Sequence, residues 1–255
     1  MLARPGRSGD NDIDAIRVTA QPISKETRLM PGDLSFACGP GASLEPIIRD
    51  LVFVGFGGRD QRAVEAHVAE MARAGIEAPS HTPCLYPVAP HLLTQAPRMT
   101  VYGHDTVPEV EFALFTWRGR DYVTVGNDQS DIEVERLLSA EKAKNLCPKA
   151  VAGEAWALSD CIDAWDRLRL RLTCNGTIMQ EDGVDGLMRP EALLDLVASA
   201  TKRPAEGRMI FSGTIASPGT FPPGPHDIDI RLEDPVGGRM IRHVFRVEML
   251  SPLRA

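Results

Sequence analysis

Residues 109–125 read EVEFALFTWRGRDYVTV, two runs of β-forming residues on either side of Arg118-Gly119-Arg120. The stretch predicts a β-hairpin. It opens with two carboxylates two residues apart. Along a strand, residues i and i+2 point the same way, so Glu109 and Glu111 stand side by side on one face. That face continues as Ala113 and Phe115, which carries it toward an interior rather than bulk water. Like charges at that distance repel unless water screens them or a cation joins them. The pair therefore reads as a solvated strand edge or as part of a divalent-metal site.

Downstream, Asn127-Asp128 stands between the second strand of the hairpin and a helix predicted to open at Ser130 and Glu133, an S-x-x-E capping box. At such a junction a carboxylate can project into a cavity. Two glutamates and one aspartate are oxygen-only ligands of the kind that suits Mg²⁺ or Mn²⁺. Upstream, LVFVGFGGRD (51–60) is an apolar strand ending in glycines. DQRAVEAHVAEMARAG (60–75) then predicts a helix with Val64, Val68 and Met71 on one stripe, Asp60 as N-cap and Gly75 as stop. His67 and Glu70 lie three apart on it, where a carboxylate can orient an imidazole and raise its basicity. His67 reads as a packing residue or, with Glu70, as a dyad that activates water. His104, close in sequence to the acidic pair, is a lesser candidate.

Further along, RLRLRLTCNG (167–176) alternates and puts Leu168, Leu170, Leu172 and Cys174 on one face. RPEALLDLVASA (189–200) predicts a helix with Pro190 in its first turn. RMIFSGT, HDIDIRLED and RHVFRVEML read as strands toward the C-terminal end. The tally predicts a strand-rich α+β fold, since no regular strand–helix alternation supports a parallel doubly wound sheet. FSGTIASPG (211–219) lacks the P-loop and dinucleotide patterns, and no G-x-S-x-G elbow occurs.

Composition narrows the function. A chain of 255 residues with 43% hydrophobic and 25% charged content can bury a large core. Its net charge of −7 leaves no Lys/Arg excess for nucleic acid or an anionic membrane, which favours a small-molecule partner. No apolar run approaches the roughly 18 residues that span a bilayer, and MLARPGRSGDNDID lacks the apolar core of a signal peptide; a cytoplasmic location is expected. Five scattered cysteines without a CxxC spacing read as buried thiols. Residues 1–48 are expected to form a leader and a small β region, the latter from IRVTAQPISKETRLMPGDL (16–34), and 49–255 the catalytic domain.

Over roughly residues 50 to 250 the order of these pieces resembles the fumarylacetoacetate hydrolase superfamily. FVGFGG and AHVAEM (53–71) are similar to its opening glycine, histidine and glutamate motif. EVEFALF is similar to its E-x-E metal strand, and DYVTVGNDQSDIEVE to its ND segment. LRLTCNGTIMQEDGVDGLM is similar to its NG…Q strand pair, and RMIFSGTIASPG to its TGTP segment. The resemblance implies a fold of rolled, mixed β-sheets with short peripheral helices, assembled as a homodimer. It implies Glu109, Glu111 and Asp128 as metal ligands, His67 with Glu70 as the water-activating dyad, and a lysine that is Lys142 or, by preference, Lys144. It places Asn175 and Gln180 on the substrate side, with Ser212, Gly213 and Thr214 as donors to a substrate carboxylate or keto oxygen. The activity implied is Mg²⁺- or Mn²⁺-dependent hydrolysis or decarboxylation of a small 2-oxo or β-diketo acid through a metal-stabilised enolate. The alternative is a catalytically idle fold that binds an acidic metabolite or serves as a structural subunit. The chain departs from the pattern in a shortened segment before Asp128, in SGTI for TGTP, and in Tyr86-Pro87-Val88 for FxK.

Overall fold

The computed structural model describes residues 34–253, apart from 74, 76, 77 and 218 and the side chain of Glu70. The N-terminal β region expected over 16–34 lies, but for its last residue, outside these. Strand β1 (Asp50–Gly55) is apolar because both its faces are covered, and it ends where Phe56 turns at φ 57°. Helix α1 (Gln61–Arg73) follows. Asp60 Oδ1 accepts from the Arg62 N–H at 2.9 Å and satisfies one of the free donors at its start, while Gly75, at φ 83°, ends the helical run. Next come β2 (Cys84–Val88) and β3 (Arg98–Tyr102). The expected hairpin is β4 (Val110–Trp117) and β5 (Arg120–Asp128), paired Trp117 to Arg120. Arg118 and Gly119 both adopt positive φ, which matches the twist of a two-residue connection.

Helices α2 (Ile132–Leu137) and α3 (Ala140–Lys144) lead to the short strand β6 (Lys149–Val151). A second hairpin, β7 (Arg169–Cys174) and β8 (Thr177–Gly183), precedes α4 (Pro190–Ala200) with its proline in the first turn. Strands β9 (Arg208–Phe211), β10 (His226–Asp234) and β11 (Arg239–Leu250) complete the chain.

Two mixed sheets result. The larger runs β2-β1-β9-β4-β5-β6 and ends on Leu93–Thr94, with Trp156–Ala157 paired to β5. The smaller runs β8-β7-β10-β11-β3. Only β9 with β1, β6 with Leu93–Thr94, and β11 with β3 are parallel among these pairs. The smaller sheet packs one face on the larger: Leu170 and Leu172, Ile228 and Ile230, Ile241 and Phe245 meet Val110, Phe112, Leu114, Val123 and Val125. The other face of the larger sheet holds a second core, in which Phe53 stacks on Phe211 at 4.2 Å and Phe36 on Phe115 at 4.6 Å. Covered on both faces, β4 reads as an apolar run, and the carboxylate of Glu111 enters that interior. Residues Leu34, Phe36, Leu44 and Ile48 also belong to this second core. The fold is strand-rich α+β with short helices at the periphery, as expected.

One local expectation is corrected. Helix α2 is capped by Asp131, whose Oδ1 accepts from Val134 N–H at 3.0 Å, and not by Ser130. Ser130 is held in a bridge with Val107, so its backbone is extended and its hydroxyl turns instead to Asp128 Oδ1 at 3.2 Å. All five cysteines are free thiols, four of them buried.

Candidate metal centre

The register of the β4–β5 hairpin assembles the acidic cluster. Val110 pairs with Asn127 and Glu111 with Gly126, and the Asp128 N–H donates to the Glu109 carbonyl at 2.9 Å. Residues opposite one another share a face, so Glu109, Glu111 and Asp128 project together. One carboxylate oxygen from each lies within 4.8 Å of the others. Glu111 and Asp128 are 2% and 0% exposed, and Glu109 is half-buried. Glycine at 126 is required by its neighbour: a Cβ there would stand 2.5 Å from the Phe211 ring. Phe211 carries Phe53, and Phe53 forms the floor beneath two ammonium groups.

Those ammonium groups belong to Lys144 and Lys149. Lys144, 13% exposed, donates to Asp128 Oδ2, with its Nζ 5.7 Å from the Phe53 ring and 5.6 Å from that of Tyr86. Lys149, fully buried, donates to Asp128 Oδ1 at 2.6 Å and to the Gln129 carbonyl at 2.5 Å. Burial alone would raise the Asp128 carboxyl, but the two ammonium groups outweigh it and hold the group down to about 2. The glutamates behave oppositely. Burial first, with the charge of Asp128 added and Lys144 opposing, pushes Glu109 up to about 7 and Glu111 well above the ordinary carboxylate range. Lys144 is raised: its burial is outweighed by Asp128, Glu109 and Glu111. Half-buried Glu135, on α2, is also raised, by burial and by Asp128 against Lys144. Three buried carboxylates of which two are driven toward the protonated form are a donor set short of positive charge. All-oxygen and compact, the set fits a hard divalent cation, which Glu109, Glu111 and Asp128 would hold.

The 212–214 segment closes over this cluster. Gly213 N–H donates to Glu111 Oε2 at 2.8 Å, the Ser212 hydroxyl to the Gly213 carbonyl at 2.8 Å, and the Thr214 hydroxyl to the Val110 carbonyl at 2.8 Å. These donors, expected to face a substrate, are turned onto the protein here because Glu111 and the start of β4 present acceptors to them. Gln180, 1% exposed, joins the same elements: Oε1 accepts from Val110 N–H, and Nε2 donates to Thr214 Oγ1 and to the Ile215 carbonyl. Asn175 occupies the β7–β8 turn at φ 49°, exposed, with its side chain bonded to Pro225 and Asp227. His67 lies on the exposed side of α1, outside the buried cluster, with its ring 5.6 Å from that of Phe56. Its expected partner Glu70 has a side chain outside the described residues. His104 lines a different cleft of about 380 Å³, together with Arg136 and Phe221.

Residues 54–245 match the family described as protein of unknown function, DUF2848. The chain belongs to the DUF2848 family. No curated protein matches it in sequence. Among solved structures, it is similar to a fumarylacetoacetate hydrolase family protein from Yersinia pestis, at 17% identity and a TM-score of 0.62 over 83% of this chain and 99% of that one. It is similar to fumarylpyruvate hydrolase from Pseudomonas aeruginosa, a structure in complex with Mn²⁺ and pyruvate, at 13% identity and a TM-score of 0.61 over 86% and 97%. It is similar also to 5-carboxymethyl-2-hydroxymuconate delta-isomerase from Mycobacterium smegmatis, at 18% identity and a TM-score of 0.59 over 84% and 87%. This DUF2848 chain thus has the fumarylacetoacetate hydrolase fold.

Two features of the DUF2848 site escape a reading of the sequence by motif. Motif spacing prefers Lys144 to Lys142 without a physical reason, and the placement of α3 supplies one: Lys142 is exposed while Lys144 reaches Asp128. Lys149 was not among the expected site residues at all. Its signal was there: a lysine heading the otherwise apolar run Lys149–Ala152, all four of which are buried.

Proposed function

We propose that this protein is a divalent-metal-dependent enzyme acting on a small 2-oxo or β-diketo acid, by C–C bond hydrolysis or decarboxylation. The observation that carries the reading is the compact triad Glu109, Glu111 and Asp128, with its two glutamates raised by burial and by the charge of Asp128. Mg²⁺ or Mn²⁺ bound there supplies Lewis-acid polarisation of the adjacent carboxylate and keto oxygens of such an acid. The chain's own groups do the rest. Gly213 N–H and Lys149 fix Glu111 and Asp128 in orientation. Lys144, the one ammonium of the site with exposure, offsets negative charge that develops on the ligand. His67, on the exposed side of α1, is the residue proposed to take a proton from water. The fold likeness to a hydrolase and an isomerase supports the reading without choosing between reactions. A homodimer in solution belongs to the same proposal.

The test needs no substrate. Chelator-treated protein titrated calorimetrically with Mg²⁺ and Mn²⁺ is expected to take up one ion per chain, and Glu111→Ala to abolish uptake while staying folded. Stoichiometric binding lost in the variant then justifies assaying oxaloacetate and acylpyruvates. No uptake by the unaltered protein, even with oxalate present, refutes the reading. It would favour instead an idle, metal-free fold that binds an acidic metabolite or serves as a structural subunit.

A further inference from the structure

The two lysines of the site are not equivalent. Lys149 is built in by the sheet: it pairs directly with Asp128 across β5 and β6, so the two side chains share a face. Its Nζ bridges Asp128 Oδ1 and the Gln129 carbonyl over the Phe53 ring, with no exposure to solvent. Oδ1 also receives the Ser130 hydroxyl, so its acceptor capacity is filled. Oδ2, by contrast, carries only Lys144 among the described residues, and Lys144 retains some exposure. Lys149 is thus the fixed partner, and Oδ2 is the oxygen that can turn to a ligand.

The fixed charge has a consequence for what the site accepts. The three carboxylates, a divalent cation and Lys144 sum to zero, and Lys149 makes the set one charge more positive; Glu135 on neighbouring α2 is present with or without Lys149 and leaves that difference unchanged. In a dry site, a charge within several ångströms of the ligand discriminates between ligands of different charge. Resting on the function proposed above, we infer that Lys149 is a positioning residue that holds Asp128 by Oδ1 and biases the loaded site toward doubly negative acids over singly negative acids of the same shape.

Oxalate and oxamate are the probes, since they match in shape and differ by one charge. Their affinities are measured for Mn²⁺-loaded protein and for aqueous Mn²⁺, which removes the ligands' own difference in chelation. The unaltered protein is expected to prefer oxalate about tenfold more strongly than aqueous Mn²⁺ does. Lys149→Met and Lys149→Gln, the second of which keeps a neutral donor, are each expected to bind Mn²⁺ and to lose that added preference. A purely structural role would weaken both probes alike. A preference in the unaltered protein no greater than that of aqueous Mn²⁺ overturns the inference, whether or not the variants fold. So does a folded variant that keeps the full preference. Normal Mn²⁺ uptake with no added preference refutes this inference alone; failure of Mn²⁺ uptake by the unaltered protein refutes it together with the function it rests on.

Discussion

Metal uptake at this site should release protons, because burial drives its two glutamates toward the protonated form. Burial holds Glu109 at about 7 and pushes Glu111 well above the ordinary carboxylate range, so near pH 7 the pair is driven toward the protonated form. Asp128, held to about 2, holds no proton. Coordination requires all three as carboxylates, so binding Mn²⁺ near pH 7 should release protons from the pair of glutamates. Affinity should climb as pH rises toward 7, and the climb should become shallower without ending once Glu109 is ionised, since Glu111 is raised as well. Calorimetric titrations in buffers of different ionisation enthalpy, such as Pipes, Mops and Tris, give the proton count as the slope of observed against buffer enthalpy. The same cause sets the stability of the metal-free protein. A carboxyl raised in the folded state binds more protons there than in the unfolded chain, so its contribution is fully present at low pH and is lost as pH rises through about 7. For Glu109 alone the loss is about 3 kcal/mol. The metal-free protein should therefore melt lower at pH 8 than at pH 6, and Mn²⁺ should raise the Tm more at pH 8. A zero slope against buffer enthalpy, or a Tm rise from Mn²⁺ that shrinks with pH, would refute the assignment of the triad as a cation site.

Two substitutions test the shell around the triad. Gly213 sits at φ 84° with the position of a Cβ only 2.7 Å from the Val54 carbonyl, and its N–H donates to Glu111. Gly213→Ala should cost about 2 kcal/mol in urea denaturation and weaken Mn²⁺ binding in the same protein; a stable variant with unaltered uptake would show that the loop does not position Glu111. Gln180→Leu removes a buried side chain that bonds Val110 N–H, Thr214 and the Ile215 carbonyl. It should destabilise by about 3 kcal/mol through the groups left unpaired, and a Tm within a degree of the unaltered protein would contradict that account.

The acidic triad was legible because its geometry is local. Alternation places Glu109 and Glu111 on one face, and Asp128 is read from its place between a strand and a helix; the register of the hairpin, with its two-residue turn, is what sets it opposite Glu109. The helices α1 and α4 were legible for the same reason, from caps and a first-turn proline read within a dozen residues. What the sequence hid depends on contacts between distant segments. Ser130 and Glu133 satisfy the capping pattern, yet pairing of Ser130 with Val107 outweighs it and passes the cap to Asp131. Gly213 reads as a substrate-side donor, but the pairing of β9 with β4 lays it over Glu111, 102 residues away in the chain.

Lys149 is the instructive case. A lysine at the first position of a short strand is the ordinary device that protects a sheet edge, with the ammonium in water. Here β6 is not an edge: β5 pairs on one side and Leu93–Thr94 on the other, and the register sets Lys149 against both Asp128 and Leu93. The ammonium cannot reach solvent, and the desolvation cost of a buried lysine requires a charged partner in contact. Asp128 meets that requirement, and by doing so is kept ionised before any cation arrives. Ligands to a hard metal announce themselves as a spacing along one strand, whereas the counter-charge that keeps one of them ready is fixed by which strand lies next to it. The charge that the protein itself contributes to the centre is therefore a property of the sheet order.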